Sequence, residues 1–297
     1  MRPSLAPLFL ALALAGCQQH AVRADAPAPV PAPAEVAKTA VAADDNLNAV
    51  LWMQTSDEYR ANSLQTYRAA ARELDRALKD RNWDALDPAE RSNPAGGLPP
   101  AVIFDVDETV LDNSPYQARL VQAGGEYNEA LWAEWVNERK ATAVPGVLEF
   151  AKAAQARGVA LFFISNRAVD LKDATIANLR SAGLAVKDDA FLGLGTVVPE
   201  CEQDGSDKNC RRQLIGRKYR VLMQFGDQLG DFAQVAPNTP ANRDALYDAH
   251  RDWFGERWWV LSNPSYGSWE PALFDNDYSK PRDARRAAKR EALRLAR

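Results

Sequence analysis

Ala101, Val102, Ile103 and Phe104 form an unbroken apolar run that ends in Asp105-Val106-Asp107. A run without alternation reads as a strand covered on both faces, as happens inside a parallel sheet. Asp105 and Asp107, two residues apart, point to the same side of an extended backbone. Two neighbouring carboxylates repel unless a cation joins them, so the pattern predicts either a divalent metal site or a pair of turn-capping aspartates. Thr109 and the turn after it are expected to fold over a ligand.

The rest of the chain alternates apolar runs with helical periods. Strands are expected over 101–104, 160–164, 191–194, 219–225 and 258–261; helices are expected over 126–140, 147–157, 171–182 and near 211–215. Strand-helix alternation of this kind predicts a three-layer, Rossmann-like α/β fold with a parallel sheet and right-handed crossovers. Ligands then sit beyond the carboxyl ends of the strands, where Asp105, Ser165 and Asp227 fall. The core is expected over 99–275, with a small, mostly helical cap inserted near 114–145 because the first crossover is longer than it needs to be. Before the core, apolar residues at helical spacing (Leu64, Tyr67, Ala71, Leu74, Leu78) predict a helical segment over 46–98 packing on it. After it, 276–297 reads as a basic helix.

With 297 residues and 46% hydrophobic content the chain can bury a full core, which excludes a disordered protein. A formal net charge of -4 gives no basic footprint for a nucleic-acid polymer. The chain holds only 2 His, and neither Cys201 nor Cys210 has a partner at metal-ligand spacing, which argues against zinc. Residues 1–16 open on Arg2, run apolar and end in Leu14-Ala15-Gly16-Cys17, a signal peptide in length and polarity. The last four residues resemble a bacterial lipobox, which implies cleavage before Cys17 and lipidation of its sulfur. Gln18 after the cysteine resembles the outer-membrane sorting signal of enterobacteria. An Ala/Pro-rich stretch over 17–45 then serves as a tether. In an oxidising periplasm Cys201 and Cys210 are either bridged or two buried thiols.

Four motifs in order resemble those of the haloacid-dehalogenase-like phosphatases. The string from Asp105 to Tyr116, DVDETVLDNSPY, is similar to the first motif of their class C branch, the bacterial outer-membrane lipoprotein acid phosphatases. Ser165-Asn166-Arg167 at a second strand end resembles the second motif. Gly226-Asp227-Gln228-Leu229-Gly230-Asp231 resembles the fourth, whose first Asp binds metal and whose second supports the site. The third motif is a lysine: Lys208 fits by position, with the flanking Arg211 and Arg212 leaving the register open and Lys187 and Lys218 as lesser candidates. Asn263-Pro264-Ser265-Tyr266-Gly267-Ser268-Trp269-Glu270 also resembles a segment of the family.

The resemblance implies a Mg2+-dependent phosphomonoesterase, with 5'-nucleotides among its expected substrates. Asp105 is the expected nucleophile and Asp107 the proton donor. Asp105, Asp227 and the Asp107 carbonyl would hold magnesium, with Asp231 behind them. Ser165, Asn166, Arg167 and Lys208 would bind phosphate, while Trp132 and Tyr266 would stack on a base. Small phosphomonoesters, nucleoside monophosphates above all, are the expected partners; homodimerisation stays open. The alternative is a non-catalytic binding lipoprotein of the same fold, against which retention of Asp105 speaks.

Overall fold

The computed structural model describes residues 44–296. The leader, Cys17 and the tether as far as Ala43 lie outside the described residues. Two helices come first, α1 (Leu47–Thr55) and α2 (Asp57–Lys79). They are separate because Ser56 is extended, with ψ 135°, and its hydroxyl accepts the Tyr59 N–H at 3.0 Å as the N-cap of α2. Then follow β1 (Pro100–Phe104), β2 (Leu111–Asp112), α3 (Ser114–Ala123), α4 (Glu129–Glu138), β3 (Thr142–Ala143), α5 (Val147–Gln155), β4 (Ala160–Ala168) and α6 (Lys172–Ser181). The chain continues through β5 (Phe191–Leu194), α7 (Asn209–Gly216), β6 (Arg220–Gly226), α8 (Pro240–Ala249), β7 (Trp258–Val260) and α9 (Arg282–Glu291). Helix α8 has no buried residue and so offers no apolar stripe in the sequence.

Strands β5, β4, β1, β6 and β7 lie side by side in that order, and every pairing is parallel. The chain leaves β1 for β4 and β5 on one side, then returns to β6 and β7 on the other. That reversal opens a crevice beyond the carboxyl ends of β1, β4 and β6. The unbroken apolar run has its physical reason here. Val102 and Phe104 belong to one buried cluster with Tyr67, Phe150, Phe163 and Phe225, and Ile103 belongs to another with Ile164, Ile215, Phe232 and Trp258. Phe104 stacks on Phe225 with centroids 4.9 Å apart.

The segment before β1 is part of this core. Trp83 Nε1 donates to the Leu222 carbonyl at 2.7 Å, and the Ala85 N–H donates to Val221 at 2.7 Å. The Arg220 guanidinium donates to the carbonyls of Ala77 and Asp80, satisfying acceptors at the end of α2. Between β1 and α5 the chain departs from the sheet through α3 and α4. That excursion is bracketed by the antiparallel pair β2–β3. Cys201 and Cys210 form a disulfide that ties the loop after β5 to the start of α7.

Candidate active site

The end of β1 turns sharply. Glu108 has φ +58°, and the Val110 N–H returns to the Val106 carbonyl at 2.9 Å. The turn therefore faces inward. Thr109, expected to fold over a ligand, is fully buried, and its carbonyl accepts the Tyr67 hydroxyl at 2.7 Å. Asp105, still in register with the sheet, donates its N–H to the Phe225 carbonyl at 2.8 Å. Its carboxylate points to the crevice.

Lys208, at the N-terminus of α7, reaches this carboxylate. Its Nζ donates to Asp105 Oδ1, and to Asp231 Oδ1 at 2.6 Å. The lysine whose register the sequence left open is thus the one beside the nucleophile candidate. Arg211 and Arg212 are buried and engaged elsewhere. Arg211 donates to the Ser165 carbonyl at 2.6 Å and to Asn166 Oδ1 at 2.7 Å, while Arg212 pairs with Glu90 at 2.7 Å. Asn166 is exposed on the cleft wall.

Asp227 follows β6 and accepts from Asn263 Nδ2 at 2.7 Å; Asp231 Oδ2 accepts the Gln228 N–H at 2.9 Å. Glycine is required at 226, because a Cβ there would lie 2.3 Å from the Cβ of Asp231. Carboxylate oxygens of Asp105, Asp227 and Asp231 all fall within 4.8 Å of one another. One ammonium among three carboxylates, those of Asp105 and Asp231 buried and that of Asp227 half-buried, leaves an excess of negative charge, and an all-oxygen donor set of this kind fits a hard divalent cation. Burial pushes the Asp105 carboxyl up to about 7 against the pull of Lys208, with Asp231 and Asp107 adding to the rise. Burial, then Asp231 and Asp105, also hold Asp227 well above the carboxylate range. Burial alone would lower the Lys208 ammonium, but Asp105 and Asp231 keep it above its ordinary value. All three shifts agree: by itself the cluster retains protons.

Asp107 faces the other wall. Its Oδ1 accepts from Arg167 Nη2 at 2.8 Å and Nε at 2.9 Å, and its Oδ2 accepts from the Ser165 hydroxyl at 3.1 Å. Arg167, expected as a phosphate contact, lines the cleft and pairs with Asp107; buried to 1% exposure, its guanidinium takes the charge that β1 delivers beside it. Trp132 on α4 lines the cleft with its ring against the Arg167 guanidinium, 5.3 Å from the centroid, and edge-on to Tyr116 at 5.0 Å. Tyr266 also lines it, and its hydroxyl donates to Glu108 Oε2.

Glu108 escaped the sequence reading. It is fully buried, accepts the Asn113 N–H at 2.7 Å, and is pushed up to about 8 by burial first and by Asp107 next. A third acidic residue directly behind Asp105-Val106-Asp107 was the available signal. The cleft joining these groups has a volume of about 1210 Å³ and extends outward past Tyr127, Trp269 and Tyr278 to helix α9.

A parallel sheet that gathers aspartates and a lysine at its strand ends defines a haloacid-dehalogenase-like protein of phosphate chemistry. The model of one family, described as HAD superfamily, subfamily IIIB (Acid phosphatase), matches residues 16–269, and the chain belongs to that family. The structure of the class C acid phosphatase from Bacillus anthracis superposes with a TM-score of 0.73 at 32% identity, covering 85% of this chain and 98% of that one. A stem 31 kDa glycoprotein of Glycine max is 33% identical over 130 residues, which is 43% of this chain and 50% of that protein. The class B acid phosphatase of Morganella morganii is 26% identical over 51% of this chain and 64% of its own. The chain spans about half the length of the first of these curated relatives. The fold class expected from the sequence is borne out.

Proposed function

We propose that this chain is a Mg2+-dependent phosphomonoesterase of the bacterial envelope, acting through an aspartyl-phosphate and taking 5'-nucleotides among its substrates. The observation that carries the reading is the buried contact of Lys208 with Asp105, a carboxylate held beside a fixed cation and open to a cleft. A second supporting fact is that the Bacillus anthracis class C acid phosphatase has been seen with tungstate bound, a tetrahedral oxyanion shaped like phosphate.

In the first half-reaction an Asp105 oxygen bonds to phosphorus as the bond to the ester oxygen breaks, and the departing alkoxide takes a proton from Asp107. In the second, Asp107 takes a proton from water, whose oxygen bonds to phosphorus while the Asp105–phosphorus linkage breaks, releasing phosphate. Lys208 offsets charge on the phosphoryl oxygens, and the Ser165 hydroxyl does so when its proton turns from Asp107 Oδ2 to the phosphate. Magnesium, held by Asp105, Asp227 and the Asp107 carbonyl with Asp231 in support, would supply electrophilic charge to the phosphoryl group. Aromatic rings along the cleft, Tyr266 and Trp132 among them, offer flat faces to a nucleobase.

The test is phosphate release from a panel of nucleoside monophosphates, sugar phosphates and 4-nitrophenyl phosphate, with magnesium and with chelator. A phosphomonoesterase of this kind turns over only with the metal; a silent binding protein of this fold would release nothing from any member. The address rests on the lipobox: Cys17→Ser should leave the detergent-soluble membrane fraction for the soluble one. Unchanged membrane association would mean another anchor.

A further inference from the structure

Helix α4 carries Trp132 and Trp135 three residues apart, hence on one face. Trp132 packs on Arg167, as described above. Trp135, 2% exposed, donates its indole N–H to Asn113 Oδ1 at 2.8 Å. Asn113 is fully buried and donates through Nδ2 to Asp107 Oδ1 at 2.9 Å. Arg167 Nη2 joins the two, lying 3.2 Å from Asn113 Oδ1 and 2.8 Å from Asp107 Oδ1.

The chemistry of these groups fixes a direction. An indole N–H can only donate, so the Asn113 amide must present its oxygen to Trp135. Its NH2 then has to face Asp107. Either amide orientation would fit sterically, but the reversed one would set Oδ1 against a carboxylate oxygen and the NH2 against two donors. Trp135 thus helps choose the amide orientation that gives Asp107 a third donor on Oδ1. Together with the Ser165 hydroxyl on Oδ2, these contacts leave the Asp107 carboxylate one rotamer.

We propose that Asn113 and Trp135 are positioning residues for the proton-transfer carboxylate Asp107, tying its orientation to helix α4. The inference rests on the phosphomonoesterase reading. Helix α4 also lines the cleft through Trp132, so a leaving group that presses on this wall acts on the same element that aims the proton donor.

Leaving-group dependence separates positioning from general structural damage. A 4-nitrophenolate departs without protonation, whereas an alkoxide needs the proton. Asn113→Ala should lower kcat/KM on glycerol phosphate by about 30- to 100-fold, the scale of a misplaced catalytic group, and on 4-nitrophenyl phosphate by roughly 5-fold or less. Trp135→Phe keeps an aromatic ring in the core, although a smaller one, and removes the donor; it should give the same pattern at about 3- to 10-fold on glycerol phosphate. Thermal midpoints of both variants report whether the fold is intact, and the Phe variant carries the test if the Ala variant does not fold. Equal losses on the two esters, or no loss on either, would overturn the positioning role while the active wild type kept the phosphatase reading. A wild type inactive on both esters would sink that reading, and this inference with it.

Discussion

The floor of the cleft and its mouth are both lined by opposite charges, but they sit in different media. On the floor, Lys208 with Asp105 and Asp231 has side chains 6–7% exposed. At the mouth, α9 reaches Asp44, Asp45, Glu126 and Glu270 through Arg282, Arg286, Arg285 and Lys289, with side chains 15–49% exposed. Removing one partner on the floor strands a charge in low dielectric, while at the mouth water takes its place. Equal-looking ion pairs therefore do different jobs. Those on the floor set the charge around Asp105, and those at the mouth fasten three separated stretches of chain around an opening.

Asp105→Asn breaks the floor most severely. The amide keeps the shape and is a poor nucleophile, so kcat should fall by about a thousandfold or more while the protein stays folded, at a lower thermal midpoint because Lys208 loses a charged partner. Substantial turnover in that variant would rule out the covalent route. The second effect is on stability without metal. Asp105, with a folded value of about 7, and Asp227, also raised, keep protons that the unfolded chain gives up near the ordinary carboxylate value. Carboxyls of this kind contribute stability that is fully present below about pH 4 and is lost as pH rises toward 7. In chelator the midpoint should drop on the order of 5–10 °C between pH 4.5 and 7.5. Saturating magnesium should remove most of the drop, because a cation takes over from the protons. A midpoint whose pH dependence is the same with and without the metal would contradict a shared metal floor.

The third prediction lies between floor and mouth. Tyr266→Ala should cost ~1–3 kcal/mol in kcat/KM on a nucleoside monophosphate, the range for one stacked base, and less on 4-nitrophenyl phosphate. Tyr266→Phe, which keeps the ring and loses the hydroxyl bond to Glu108, should retain the preference. Equal losses on both substrates would make Tyr266 a support for Glu108 alone. The smallest effect belongs to the mouth: Arg285→Ala, which removes the pair with Glu126, should change stability by ~0.2–1 kcal/mol and by less still in 1 M salt. A loss comparable with that of a floor residue would erase the distinction between the two regions.

Much of this was legible in the chain because strand ends are local. The apolar runs before Asp105, Ser165 and Asp227 announce buried strands, and chain direction alone sends those residues to one edge of a parallel sheet. Helix α8 could not be read, since it buries nothing, and the short strands β2 and β3 hold two residues each. The break at Ser56 is a cap whose extended backbone interrupts an otherwise continuous helical period.

By itself the sequence determined the sheet, its polarity and the types of group delivered to its edge, because periodicity and strand direction involve neighbours in the chain. Only the tertiary structure decided who pairs with whom. Lys208 meets Asp105 across 103 positions, Arg167 meets Asp107 across 60, and Tyr266 meets Glu108 across 158. Those choices depend on how far each side chain reaches once the layers are packed and on which buried charge lacks a partner. Arg167 went to Asp107 for that reason, Arg212 to Glu90, and Lys208 was left for Asp105.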